Sequence, residues 1–167
     1  IVLPYTVPKK LVKGIFVNRQ GQRFISEDLY QTVVGEAALL HQGGEVFLIV
    51  DNEIFERPFP PTELAAVEDT IEDLERSMGM PEGSLQHTVE FYNRHAARGE
   101  DPLFHKQPEN LTPLLTPPFA ALDYTTDEAL YTVFTMGGLH TSPAGEVLSA
   151  DGEAVAGLYA AGRTTSG

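Results

Sequence analysis

Five consecutive apolar residues, Val46-Phe47-Leu48-Ile49-Val50, stand between the glycine pair Gly43-Gly44 and Asp51. A run of strand length without polar alternation predicts a central β-strand buried on both faces. Such a strand needs a partner along each edge and cover above and below, and the flanking sequence offers both. Residues 13–18 and 22–26 are β-rich and enclose Arg19-Gln20-Gly21, which predicts a hairpin around a short glycine-containing turn. Residues 32–42 favour a short helix halted by Gly43-Gly44. After the breakers Pro58, Pro60 and Pro61, Leu64, Val67, Ile71, Leu74 and Met78 recur at helical spacing, which predicts a helix capped by Thr62. Its opposite face is acidic, with Glu72 placed four residues before Arg76. A second helix is expected from a Ser84 cap, with Leu85, Val89, Tyr92 and Ala96 on one side and an end near Gly99.

A proline-rich loop follows over residues 102–118, then two strand-like stretches, residues 119–124 and 130–135. The last part carries Gly137-Gly138, a turn at Pro143-Ala144-Gly145, and the stretch from Gly157 to Gly162. Strands and helices intermix without a βαβ repeat, so the class expected is α+β, a small mixed sheet with packed helices. Residues 1–12 are expected to be a linker, residues 13–135 the main domain, and residues 136–167 a separate return segment. The chain opens at Ile1 without an initiator Met and stops after a glycine-rich turn, so both ends are expected to be cuts in a longer chain.

Composition narrows the function classes. The 167 residues hold no cysteine, which excludes disulfides, thiolate nucleophiles and Cys-ligated metals and fits a cytoplasmic protein. A formal charge of −13 argues against nucleic acid as a partner, since a polyanion would be repelled. No apolar run reaches the roughly 18 residues needed to span a bilayer. Five basic residues (Lys9, Lys10, Lys13, Arg19, Arg23) and no acidic ones occupy residues 1–25, which reads as a solvated flank rather than an anion site.

The usual catalytic motifs are missing: no G-x-G-x-x-G after a strand, no phosphate-binding glycine-lysine loop, no G-x-S-x-G elbow. The histidines (His41, His87, His95, His105, His140) lack metal-ligand spacing, so no metal site is expected. The carboxylates of residues 62–76 read as a solvated face. Asn18 and Gly21 read as hairpin residues, and Arg23 and Glu27 as a pair within the fold.

Three segments carry a more specific signal. Lys13-Gly14-Ile15-Phe16-Val17-Asn18-Arg19-Gln20-Gly21-Gln22-Arg23-Phe24-Ile25-Ser26-Glu27-Asp28 resembles the sequence that opens the capping domain of the fumarate reductase and 3-ketosteroid dehydrogenase flavoproteins. Thr135-Met136-Gly137-Gly138-Leu139 and Gly157-Leu158-Tyr159-Ala160-Ala161-Gly162 resemble the segments where that family's chain returns to its FAD domain. Order and spacing agree, and the resemblance covers nearly the whole chain. It implies a substrate-capping segment of an FAD-dependent oxidoreductase, excised from its FAD-binding domain, inactive and without bound FAD when isolated. Its partners would be its own FAD-binding domain and an apolar small molecule such as a steroid.

Gly137, Gly138, Gly162 and Arg163 are then expected near the flavin or its phosphates. Paired glycines permit close backbone approach or positive φ, and exposed amides around Gly162 can bond an anion; an ordinary tight turn and a strand terminus are the plain alternatives. Fumarate reductases of this family carry a proton-donating arginine a few residues past the motif's glutamate. Here the stretch is Asp28-Leu29-Tyr30-Gln31-Thr32, without arginine, and Phe134 stands where a histidine precedes the family's Thr-x-Gly-Gly. Ketosteroid dehydrogenases place a tyrosine in this region, which makes Tyr30 the candidate catalytic residue. The tail from Ala161 to Gly167 also resembles that branch, with Arg163 in place of the commoner glutamate. A phenol, with an ordinary pKa of about 10, can polarise a ketone or, if lowered, accept a proton while hydride leaves the neighbouring carbon. The alternatives are a half-buried tyrosine packed on the 32–42 helix, a fumarate or succinate oxidoreductase-like cap, and a lid without catalytic side chains.

Overall fold

The computed structural model describes residues 8–58, 62–125 and 137–165, which fall into two compact units divided between Thr132 and Val133. The first unit is built on a four-stranded sheet: β1 (Ile15–Asn18), β2 (Val46–Asp51), β3 (Leu64–Glu68) and β4 (Phe119–Asp123), in the order β1-β2-β4-β3. The expected central strand is β2. Ile15 faces Ile49 on one edge, while Leu48 faces Leu122 on the other. Consecutive residues of β1, β2 and β4 are buried, so both faces of these strands are covered, as an uninterrupted apolar run requires. All three strand pairings are antiparallel, which corrects the expectation of a mixed sheet. The α+β class stands, because the helices lie between strands that never run side by side in the same direction.

Three α-helices accompany the sheet: α1 (Gln31–Glu36), α2 (Ile71–Ser77) and α3 (Ser84–Ala96). The first continues as a wider π-turn over Ala37–His41 and ends at Gly43 and Gly44, both with positive φ. The hairpin expected around residues 19–21 is corrected: residues 22–26 form no strand, and a single bridge from Val17 to Arg23 closes the turn. The turn is held by Asn18, whose Oδ1 accepts the amides of Gln20 and Gln22, both at 3.0 Å. Gly21 has φ +71°, and a Cβ there would lie 2.6 Å from Ser84 Oγ and 2.9 Å from Leu85 N. The turn therefore seats directly on the start of α3, a contact open only to glycine.

The helix expected over residues 62–76 is corrected. Leu64 and Val67, at 45% and 47% exposure, belong to edge strand β3, and the helix begins only after Thr70. Thr70 Oγ1 accepts the amide of Asp73 at 3.0 Å and so takes the capping role assigned to Thr62. Pairing with β4 overrode a periodicity that strand and helix can share over a short stretch. The stripe of α3 is as expected, with Leu85, Val89, Tyr92 and Ala96 buried.

Ser84 is not its cap. Gly83 holds the N-cap position, and the buried carboxylate of Glu75 accepts the amides of Gly83, Leu85 and Gln86 at 2.7, 2.8 and 3.2 Å. A full negative charge at the amide-rich end of a thirteen-residue helix satisfies several donors at once. Burial pushes the Glu75 carboxyl up, but these hydrogen bonds outweigh it and hold it below its ordinary value.

The proline-rich loop is anchored near its C-terminal end. Asp51 Oδ2 accepts the amides of Leu115 and Thr116, each at 2.9 Å, and Asn93 bonds both the amide and the carbonyl of Leu114. The strand expected over residues 130–135 lies outside the described residues, as do Thr135 and Met136 of the glycine-pair motif.

The second unit is a small hairpin of β5 (Glu146–Leu148) and β6 (Ala154–Tyr159), preceded by the turn expected at Pro143-Ala144-Gly145. In that turn the Gly145 amide donates to Ser142 O at 2.8 Å.

Candidate functional site

Within the first unit, the segment from Arg23 to Tyr30 is fixed by charge. Glu27 is buried, and its carboxylate accepts Arg23 Nε at 2.9 Å, Arg23 Nη2 at 2.7 Å and the Phe16 amide at 2.9 Å. Lys106 Nζ lies 3.1 Å from the same carboxylate and donates to Gly14 O at 2.6 Å. Arg23 reaches Asp101 at 2.9 Å with its other terminal nitrogen. Two cations and two anions thus close a neutral buried cluster, with the Arg23 guanidinium also near the rings of Tyr92 and Phe104 at 5.2 and 5.0 Å. The Arg23–Glu27 pair expected within the fold is present. Asp101 and Lys106 complete it from a loop some eighty residues away, a partnership no local pattern announces.

Burial pushes the Lys106 ammonium below its ordinary range even with Glu27 beside it. Burial acts in the opposite sense on Asp101, but the charge of Arg23 and hydrogen bonds from Lys106 N and Phe104 N prevail and lower it. The Tyr92 phenol is driven strongly upward, chiefly by burial, and donates to Lys13 O. It is a structural group.

Tyr30 lies at the end of this fixed segment. It is the residue before α1, and its carbonyl accepts the amides of Val33 and Val34. Tyr30 is 65% exposed, more than the half-buried alternative expected. Leu29, Val33, Leu39 and Leu40 are exposed as well, which leaves apolar surface on and around the first helix.

The four flavin-side candidates belong to the second unit. The Gly138-to-Leu139 backbone runs against residues 164–165, with the Leu139 amide donating to Thr164 O at 2.8 Å and a parallel bridge from Leu139 to Thr165. A Cβ on Gly138 would lie 2.6 Å from Thr164 O, so the reason for glycine there is close backbone approach. Gly137 has open space where its Cβ would stand. Gly162 has the same and a φ of +68°. Arg163 follows in a short 3-10 turn, Gly162–Thr164. The structure thus joins the Gly-Gly segment by main-chain contact to Thr164 and Thr165, just past Gly162 and Arg163.

Residues 13–167 match the model of the FAD binding domain family. The chain belongs to that family. FAD is the family's cofactor, and its members are FAD-dependent oxidoreductases. The chain is 33% identical over 163 residues to the NADH:acrylate oxidoreductase of Vibrio harveyi, covering 92% of this chain and 16% of that protein. It is 32% identical over 163 residues to the probable fumarate reductase Ifc3 of Shewanella frigidimarina, covering 93% of this chain and 26% of that protein. A 3-ketosteroid-Δ4-(5α)-dehydrogenase structure from Rhodococcus jostii RHA1, in complex with 4-androstene-3,17-dione, superposes with a TM-score of 0.81 at 43% identity, covering 98% of this chain and 35% of that one. The chain therefore spans only a fraction of the length of the proteins it matches.

The residues present suit part of an FAD site. The open positions at Gly137 and Gly162 beside Arg163 are compatible with the approach of a flavin edge or a phosphate oxygen. Among the described residues no group of histidines and carboxylates could hold a metal ion, and no helix is long and apolar enough to cross a membrane.

Proposed function

We propose that this chain is the substrate-capping segment of a 3-ketosteroid-dehydrogenase-like FAD-dependent oxidoreductase. Residues 1–12 would lead from the FAD-binding domain, residues 13–135 form the cap, and residues 136–167 return to that domain. The observation that carries this reading is the 43% identity across 98% of the chain with a dehydrogenase whose structure holds a ketosteroid. The exposed apolar residues around α1 support it, because an apolar substrate is gripped by area rather than charge.

FAD, when bound, supplies the hydride acceptor. Gly137, Gly138 and Gly162 would meet it through main chain, and Arg163 through its charge. The Tyr30 hydroxyl acts at the substrate, polarising the ketone oxygen or holding the proton removed from the carbon beside the hydride-losing carbon. Closure of the cap excludes water from the site. In the full-length enzyme, Tyr30→Phe should lower kcat at least about 100-fold with FAD content unchanged. Turnover within a few-fold of the parent would remove Tyr30 from the mechanism.

A second reading is favoured by the curated relatives, one an acrylate oxidoreductase and another a probable fumarate reductase: reduction of an activated alkene by a related cap. The absence of arginine from residues 28–32 counts against it. Steady-state turnover of the full-length protein with ketosteroids and with unsaturated carboxylates separates the two. Activity confined to the carboxylates would replace the steroid assignment.

A further inference from the structure

We infer that Asp28 is a positioning residue for Tyr30, latching the backbone that carries the phenol to the proline-rich loop; this rests on the reading of Tyr30 given above. An exposed side chain cannot be oriented by packing, and at 65% exposure Tyr30 has little packing to rely on. Its Cα and the start of α1 must therefore be fixed through the chain on either side. Downstream, α1 hangs from the Tyr30 carbonyl, and no side chain caps it. Upstream, the two residues that fix the chain are the adjacent carboxylates Glu27 and Asp28, and they point to different partners.

Glu27 is committed to the buried cluster. Asp28 is not. Its Oδ1 accepts Ser26 Oγ at 2.7 Å, and its Oδ2 accepts both the Gln107 amide at 2.7 Å and Asn110 Nδ2 at 3.0 Å. The Leu29 amide closes the same turn onto Ser26 O. Asp28 thus ties the two-residue lead into Tyr30 to residues 107–110, about eighty positions along the chain. Burial raises the Asp28 carboxyl, but hydrogen bonds from Ser26, Asn110 and Gln107 outweigh it and keep it ionised, so the latch is charge-assisted at neutral pH. The hydrogen bonds of Asp28 go to Ser26, Gln107 and Asn110 rather than to the cluster, on which it acts only through its charge, by favouring the Lys106 ammonium.

The test is a double-mutant cycle on full-length holoenzyme. Asp28→Ala should lower kcat by about 10- to 100-fold, the loss expected when a reacting group is misplaced by about 1 Å, while FAD content stays unchanged. In a Tyr30→Phe background the same substitution should cost less than about 3-fold, since there is no phenol left to position. Asp28→Asn retains an acceptor for the loop and a donor for Ser26, and should recover most of the activity. Asn110→Ala cuts one tie from the far side, should show a smaller loss with the same dependence on Tyr30, and serves if Asp28→Ala does not fold. An equal loss in both backgrounds, or none in either, overturns the positioning role while leaving Tyr30 in place. Normal turnover of Tyr30→Phe alone overturns the Tyr30 reading instead.

Discussion

At the scale of single residues, the largest commitment in the chain is the buried quartet of Arg23, Glu27, Asp101 and Lys106. Its members balance in charge, so removing one leaves an uncompensated buried ion. Lys106→Met keeps the apolar stem and should destabilise the chain by about 3 kcal/mol. Adding Glu27→Gln should recover part of that loss by restoring neutrality, as read by urea unfolding of the single and double variants. Half of this quartet was legible in the sequence. Arg23 and Glu27 stand four apart in a motif where pairing is natural, whereas Lys106 is a lone cation in a proline-rich loop and carries no periodicity. Asp28 was visible only as the last letter of a motif. Its partners in residues 107–110 are fixed by the path of the loop, which depends on tertiary anchors at Asp51 and Asn93.

At the scale of elements, legibility followed length and depth. The stripe of α3 holds over twelve positions and buries every member expected, and the apolar run of β2 had the length of a strand and is a central one. Residues 64–78 failed because five apolar positions satisfied a helical period while their first two served an edge strand. The cap of α3 was misplaced for a related reason: a serine before a helix is a strong local signal, but Glu75 from the preceding helix supplied a charged acceptor to three amides. In the second unit, the glycine pair was read as facing a cofactor, whereas the close approach seen at Gly138 is to Thr164 of the same unit. The junction between the hairpin turn and α3 gives the clearest element-level prediction. Gly21→Ala combines a positive φ with a Cβ pressed against Ser84 and Leu85, so it should destabilise by at least about 2 kcal/mol. A denaturation midpoint equal to the parent's would mean that the turn and helix separate freely.

At the scale of the whole molecule, stability should depend on pH through carboxylates that the fold keeps ionised. Asp28, Glu75 and Asp101 are all held below their ordinary values. A carboxyl lowered by folding contributes fully above its unfolded pKa, about 4, and that contribution is lost as pH falls through the folded value. The midpoint of thermal unfolding should thus vary little with these groups from pH 7 to about 5 and fall steeply below about 4. A midpoint independent of pH down to about 2 would contradict the assigned shifts. The strand order β1-β2-β4-β3 also has a consequence for the chain while it is being made. One edge of β2 can pair with β1 at once, but the other waits for β4, roughly 70 residues further on, and at about 5–20 residues per second that is roughly 4–14 seconds on the ribosome. Nascent chains stalled before Phe119 should accordingly crosslink to holdase chaperones through residues 46–51, and chains released beyond Asp123 should not. The most apolar strand of the fold is, during synthesis, its most vulnerable edge.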